Sequence, residues 1–205
     1  MRKELLIALR VTAVTLVLTG LVYPLATTGL ARVLFPRRSA GSFVTDEAGR
    51  VVGSELLGQG FSAPGYFHPR PSAAGKDGWD ATSSSGTNLG PTSKKLRNSA
   101  ADALKKLQSE NPRAHDPAPV ELVTSSGSGL DPHLSPAAAL WQVPRVAQAR
   151  HVSEERVRML VESQIERRDL FVLGEPRVNV LTLNLALDRQ FGAPERSRTS
   201  ATRTP

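Results

Sequence analysis

The chain has 205 residues, 40% of them apolar but only 5% aromatic, which suits one domain with appendages. It has no cysteine, which excludes disulfides, thiolate metal sites, a cysteine nucleophile and a lipidated N-terminal cysteine. Its net charge of +7 is partly concentrated at the ends (Arg2, Lys3, Arg10; Arg32, Arg37, Arg38; Arg196, Arg198, Arg203), with no basic motif interleaved with aromatics, so nucleic acid is not an expected partner.

After a short N-terminal segment, residues 1–10, the stretch from Val11 to Ala31 contains no charged residue. As a helix it reaches about 31 Å, close to the roughly 30 Å hydrocarbon core of a bilayer. The expectation is one uncleaved transmembrane helix over 11–34; a cleaved leader would have an apolar region of only about 7–15 residues. Pro24 lies inside the run and is tolerated there in a membrane helix. Small residues such as Thr15, Thr19, Gly20, Thr27 and Gly29 would allow a neighbouring helix to approach or accept a hydrogen bond. Basic residues nearly tie across the two ends, so charge does not decide orientation.

Residues 39–188 read as one soluble α+β domain tethered by that helix. Ser39 to Phe61 reads as a hairpin around Glu47-Ala48-Gly49, with Gly49 at the turn. Ala63 to Gly90 is rich in turns and long for a compact domain, so it is expected to be packed by its own side chains, Tyr66, Phe67, Trp79 and Leu89. Thr92 to Glu110 reads as a helix capped by Thr92 or Ser93, with Leu96, Ala100, Ala103, Leu104 and Leu107 on one face. Val120 to Thr124 is expected to be a short strand. Ser135-Pro136 opens another helix, which Pro144 is expected to split in two, and Ser153 caps the next, with Val157, Leu160, Val161 and Ile165 as its apolar stripe. In Val178 to Leu187 the alternating leucines favour a strand, although a leucine run also suits a helix. From Arg189 onward the basic tail has no periodicity and is expected to be disordered.

Four arrangements invite chemistry. In Ser126 to Pro136, Asp131 and His133 sit near Ser126, Ser128 and Ser135, but no nucleophile elbow is present. The favoured reading is an Asx turn at Asp131, with Pro132 stiffening the corner. His68, His115, His133 and His151 have no metal-ligand spacing. Ser83 to Lys95 is glycine- and serine-rich and opens a helix, but it lacks a phosphate-loop signature and reads as a turn before a capped helix. Arg70, between Pro69 and Pro71, suits either an acidic partner surface or a carboxylate within a rigid loop.

Six blocks then occur in order behind one N-terminal span: "GSELLGQGF" (53–61), "YFHPRPSA" (66–73), "TNLGPTSKKL" (87–96), "SGSGLDPHLSP" (126–136), "RVAQAR" (145–150) and "LGEPRVNVLTLNLALD" (173–188). Together they closely resemble the C subunit of Kdp-type potassium-transporting ATPases. The resemblance implies a non-catalytic accessory subunit of an ATP-driven, high-affinity potassium uptake complex in a bacterial inner membrane. Its implied partners are a potassium-binding, channel-like subunit and a P-type ATPase subunit. Its implied role is assembly and raising the pump subunit's affinity for ATP, with no tightly bound cofactor of its own, ATP being reached through the ATPase subunit. It also favours an extracytoplasmic domain. The alternative is a membrane-anchored periplasmic binding module, or a hydrolase using Asp131 and His133.

The motif positions expected to shape loops or interfaces are Tyr66, Phe67, His68, Arg70, Pro71, Asn88, Leu89, Gly90, Pro91, Gly129, Leu130, Asp131, Pro132, His133 and Arg145. Gln142 and Gln148 are the amide side chains considered for ATP. Two departures from the family pattern reshape loops: Ser85-Gly86 where two glycines are usual, and Pro69 where a glycine usually follows the histidine.

Overall fold

The computed structural model describes residues 1–46, 48–114 and 116–194. They divide into two units, Met1–Val44 and the remainder from Thr45.

The first unit is dominated by one helical rod, Arg2–Leu34, so helix runs on through the short N-terminal segment. It comprises α1 (Arg2–Val17), a wider π-helical turn (Leu18–Val22) and α2 (Tyr23–Leu34), and none of its residues is buried by the protein. The wide turn sits just before Pro24, where a standard turn would set the proline ring against the carbonyl four residues back. Instead the amide of Tyr23 donates to the carbonyl of Leu18, five residues back. The hydroxyls of Thr19 and Thr27 donate to the carbonyls of Thr15 and Tyr23 at 2.7 and 2.8 Å. Those polar atoms are therefore paired within the helix, as an apolar solvent requires. A single turn, α3 (Pro36–Ser39), follows.

β1 (Phe43–Thr45) and β2 (Val51–Ser54) form the expected two-stranded sheet. At its turn the Asp46 carboxylate accepts from the amides of Ala48 and Arg50, and Gly49 takes a left-handed φ of 76°. Glu47 itself lies outside the described residues. α4 (Lys94–Glu110) begins one residue after the expected cap, with the Ser93 hydroxyl accepting from the Leu96 amide.

Four expectations are corrected. Val120–Leu122 is a 3-10 turn, not a strand: among the described residues no strand pairs with it, and the amides of Leu122 and Val123 donate to the carbonyls of Pro119 and Val120. Pro144 does not divide the helix, because α5 (Pro136–Arg150) is continuous. A proline inside a helix costs about 3 kcal/mol, but here the residues on both sides of it, from Ala138 to Ala147, are largely buried. Val178 to Leu187 is not a strand. Only Val178–Asn179 (β4) is extended, pairing antiparallel with β3 (His133–Leu134), and α7 (Val180–Phe191) follows. The Asn179 side chain accepts from the Thr182 amide as a helix cap. Val180, Leu183, Asn184 and Leu187 are buried at helical spacing, a period that the leucine alternation obscures. Finally, Arg189 to Phe191 of the expected tail belong to α7; residues 195–205 lie outside the described residues.

The core is built by α5, α6 (Glu154–Ser163) and α7. Phe67, Val143, Val146, Val157, Val161, Leu183 and Leu187 are fully enclosed in it. Each such side chain contributes about 1.5–3 kcal/mol relative to exposure. α5 turns into α6 through His151, which takes a left-handed φ of 54° while the Val152 amide donates to the Ala147 carbonyl.

Candidate functional site

The segment from Pro64 to His68 runs between α5 and α7, held by side chains from both. Asn184 accepts from the Phe67 amide at 2.8 Å and donates to the Phe67 carbonyl at 3.0 Å. Gln142 does the same for His68, at 2.9 and 3.1 Å. The two amide side chains thus stand in for a neighbouring strand, satisfying backbone groups that burial would otherwise orphan.

Arg145 completes the clamp. Only 6% exposed, it donates to the carbonyls of Pro64 and Tyr66 at 2.6 and 3.0 Å and to the Gln142 side chain at 2.7 Å. Burial pushes its pKa down to about 10, so it remains a cation at neutral pH. Its fork of donors meets carbonyl oxygens, a task for which a single ammonium is poorly shaped. Burial, followed by the Arg145 charge, pushes His68 down to about 4, so its ring is neutral. Arg150 donates to the Gly65 carbonyl and pairs with Asp188 at 2.7 Å, and Tyr66 donates its hydroxyl to Asp188 at 2.9 Å. Burial, reinforced by Asp188, raises the Tyr66 pKa.

A second cluster joins three loops. Arg70 pairs with Asp131 at 3.2 Å and donates to the Ser125 carbonyl. The Asp131 carboxylate also accepts from the His133 amide at 3.0 Å, the expected Asx turn. The His133 ring beside it is the main cause holding Asp131 below the usual carboxylate range, with Arg70 contributing. The Ser72 hydroxyl donates to the Gly129 carbonyl, Ser84 to that of Ser128 and Ser85 to that of Ala73. Gly129 has a φ of 68°, and a Cβ there would come within 2.5 Å of the Ser85 carbonyl oxygen. A Cβ on Gly86 would come within 2.8 Å of the Gly127 carbonyl. Both glycines are therefore required by close backbone approach, and Ser85, one of the departures, donates its hydroxyl to the Ala73 carbonyl.

The remaining motif residues fall around these clusters. Leu130 is buried, and its carbonyl accepts from the Gly58 amide; the Pro132 carbonyl accepts from the Val180 amide. Asn88, with a φ of 52°, Gly90 and Pro91 lead into α4, exposed apart from half-buried Leu89. Pro71 lines a cleft of about 500 Å³ between the 60–79 loop and α4, together with Phe61, His68, Trp79, Lys106 and Glu110. The cleft wall is mostly apolar, with one ion pair, Lys106–Glu110 at 3.8 Å.

The geometry does not assemble a relay at His133. Its ring lies 3.7 Å from Asp131, while the Ser135 hydroxyl donates to Glu121 and the Ser126 and Ser128 hydroxyls accept from the amides of Gly129 and Leu130. Among the described residues no group of three or more His, Asp or Glu side chains could hold a metal; His115 is outside them. Gln142 is buried within the clamp, whereas Gln148 is exposed on α5, so the structure does not bring the two together. Sequence reasoning missed the bracketing by Asn184. Its signal was an asparagine on the buried face of a helix, visible only once the helical period is chosen.

The family model for the c chain of K+-transporting ATPases, KdpC, matches residues 5–189. A potassium-transporting ATPase KdpC subunit from Myxococcus xanthus is 64% identical, covering 91% of this chain and 88% of that protein. The KdpC subunits of Methylobacterium nodulans and Rhodopseudomonas palustris are each 53% identical, covering 85% and 92% of this chain and 91% and 98% of their own. With six sequence blocks holding together one clamped domain behind one apolar helix, the chain belongs to the KdpC family of potassium-transporting ATPase subunits.

Proposed function

We propose that the chain is the non-catalytic accessory subunit of a high-affinity, ATP-driven potassium uptake complex. It assists assembly and raises the affinity of the P-type ATPase subunit for ATP. One observation carries this reading. Polar side chains of the family motifs, Arg70, Asp131, Tyr66, Arg145 and Asp188, together with Gln142 beside them, are bonded to one another and to backbone carbonyls of their own domain. Groups held this way fix the shape of a surface; they are not poised to exchange protons or attack a substrate.

The chain's partners are the channel-like, potassium-binding subunit and the ATPase subunit. Its helix crosses the inner membrane once and its domain lies on the extracytoplasmic side. ATP is then held by the ATPase subunit, and any effect on its affinity passes through contacts within the membrane as a coupling free energy, typically about 1–3 kcal/mol, or roughly 5–150-fold. The test is to purify the pump from cells with and without this chain and measure yield and the KM for ATP. Loss of the chain is expected to lower the yield and raise KM within that range. Unchanged yield and KM, or ATP hydrolysis by the isolated chain, would refute the proposal. Protease digestion of spheroplasts tests the side of the membrane: the domain is cut from outside, and protection there overturns the assignment.

A further inference from the structure

Between α6 and β4 the chain doubles back into a narrow arm. The amides of Glu166 and Arg177 each donate to the other's carbonyl, at 2.8 and 3.0 Å, and Asp169 and Leu173 repeat the pattern, both at 2.9 Å. Ion pairs brace the two sides, Arg177–Glu166 at 2.9 Å and Arg168–Glu175 at 2.7 Å.

The tip of the arm is Leu170-Phe171-Val172-Leu173, exposed by 80, 87, 71 and 58%. Single apolar residues on a surface need no explanation, but four consecutive ones at the end of a braced arm form a patch. Leu170 and Phe171 hold left-handed φ values of 50° and 65°, which bulky residues disfavour. Strain of this kind persists where surrounding structure enforces it and is concentrated at functional surfaces.

Two further observations say what such a tip enters. The amides of Phe171, Val172 and Leu173 already donate to the carbonyls of Arg168 and Asp169. An apolar solvent imposes its largest penalty on unpaired backbone groups, and these donors are paired in advance. In addition, the membrane-crossing rod ends at Leu34 and β1 begins at Phe43. The intervening residues include the single turn α3 and span less than about 30 Å, so a short linker ties the domain to that rod.

We propose that the 170–173 tip inserts into the interfacial layer of the bilayer, with Arg167 and Arg168 at headgroup depth. Acids and bases balance along the arm (Glu166, Asp169 and Glu175 against Arg167, Arg168 and Arg177). Insertion therefore rests on apolar burial, requires no anionic lipid and is insensitive to salt.

The absence of cysteine makes the test direct. Phe171→Cys and, separately, Leu173→Cys each give the full-length protein one attachment point for a nitroxide. Val120→Cys, at a residue 71% exposed elsewhere on the domain, serves as the water-facing reference. The three labelled proteins are placed in vesicles of zwitterionic lipid, and collisions with oxygen and with a water-soluble nickel chelate are compared. The nickel-to-oxygen ratio is expected to be at least about fivefold lower at 171 and 173 than at 120, and the same in low and high salt. Equal ratios at the three positions overturn the proposal. Protection of 171 and 173 only when the other pump subunits are present also overturns it, by assigning the tip to a protein pocket.

Discussion

α4 and α5 are of similar length, 17 and 15 residues, yet they sit in the domain in opposite ways. α4 has the cleaner sequence, with a capping serine, a regular apolar stripe and no proline, but none of its residues is buried. Leu96, Ala100, Ala103, Leu104 and Leu107 are each only half-covered. α5 carries a proline in its middle and a weak stripe, yet Ala138, Trp141, Val143, Val146 and their neighbours are enclosed. Helical pattern thus tells whether a segment coils; the number of neighbours that need its side chains tells how firmly it is held. α5 is the frame to which the Pro64–His68 segment is bonded, and α4 is a flap over the cleft, pinned at its end where Asn111 donates to the Trp141 carbonyl at 2.7 Å.

The contrast breaks most readily at Arg145. Arg145→Ala leaves the carbonyls of Pro64 and Tyr66 without their donor and removes one of the two donors to the Gln142 side-chain oxygen. The expected loss is on the order of 3–5 kcal/mol of domain stability, read from denaturant unfolding of the full-length protein in detergent. A loss below about 1 kcal/mol would mean that α5 is no frame.

The next largest effect is a pH dependence at His68. Its folded pKa, about 4, lies below the ordinary value near 6.5, so the unfolded chain takes up the proton first. Stability from this group is fully present above about pH 6.5 and falls as pH drops from there towards 4, by up to about 3 kcal/mol. His68→Asn should flatten that slope in a series of unfolding curves, and an equally steep slope in the variant would place the titration elsewhere.

The smallest effect belongs to α4. Leu104→Ala is expected to cost less than about 1 kcal/mol, because the half-covered side chain leaves little cavity. Amide exchange in α4 should nevertheless accelerate, sharpening its description as a flap, while exchange in α5 stays slow. A cost of 2 kcal/mol or more would place α4 within the core.

These same residues explain what the sequence made legible. The apolar rod, the Ser93 and Ser135 caps and the Asx turn at Asp131 all depend on neighbours a few residues away, whereas Arg70, left between an acidic partner and an internal carboxylate, finds Asp131, 61 residues on. Two of the six motif blocks carry glycines where loops approach closely, Gly58 against the Asp131 carbonyl and Gly129 against that of Ser85. What stayed hidden depends on distant partners. Whether Val178 to Leu187 coils is decided by Asn179 capping Thr182 and by Asn184 reaching Phe67, 117 residues earlier. The continuity of α5 through Pro144 is decided by burial on either side. The 120–122 turn lost its strand character for want of a neighbouring strand. The apolar arm tip carried no periodic signal at all.

The bonds at Phe67 and His68 also impose an order on biogenesis. Their partners, Asn184 and Gln142, lie 117 and 74 residues downstream. As the polypeptide leaves the ribosome, the aromatic stretch emerges early and waits open until α7 arrives. Domains closed by such distant pairs fold late and expose sticky intermediates meanwhile. Premature termination before α7 would therefore release a chain that cannot close, however complete its N-terminal apolar rod.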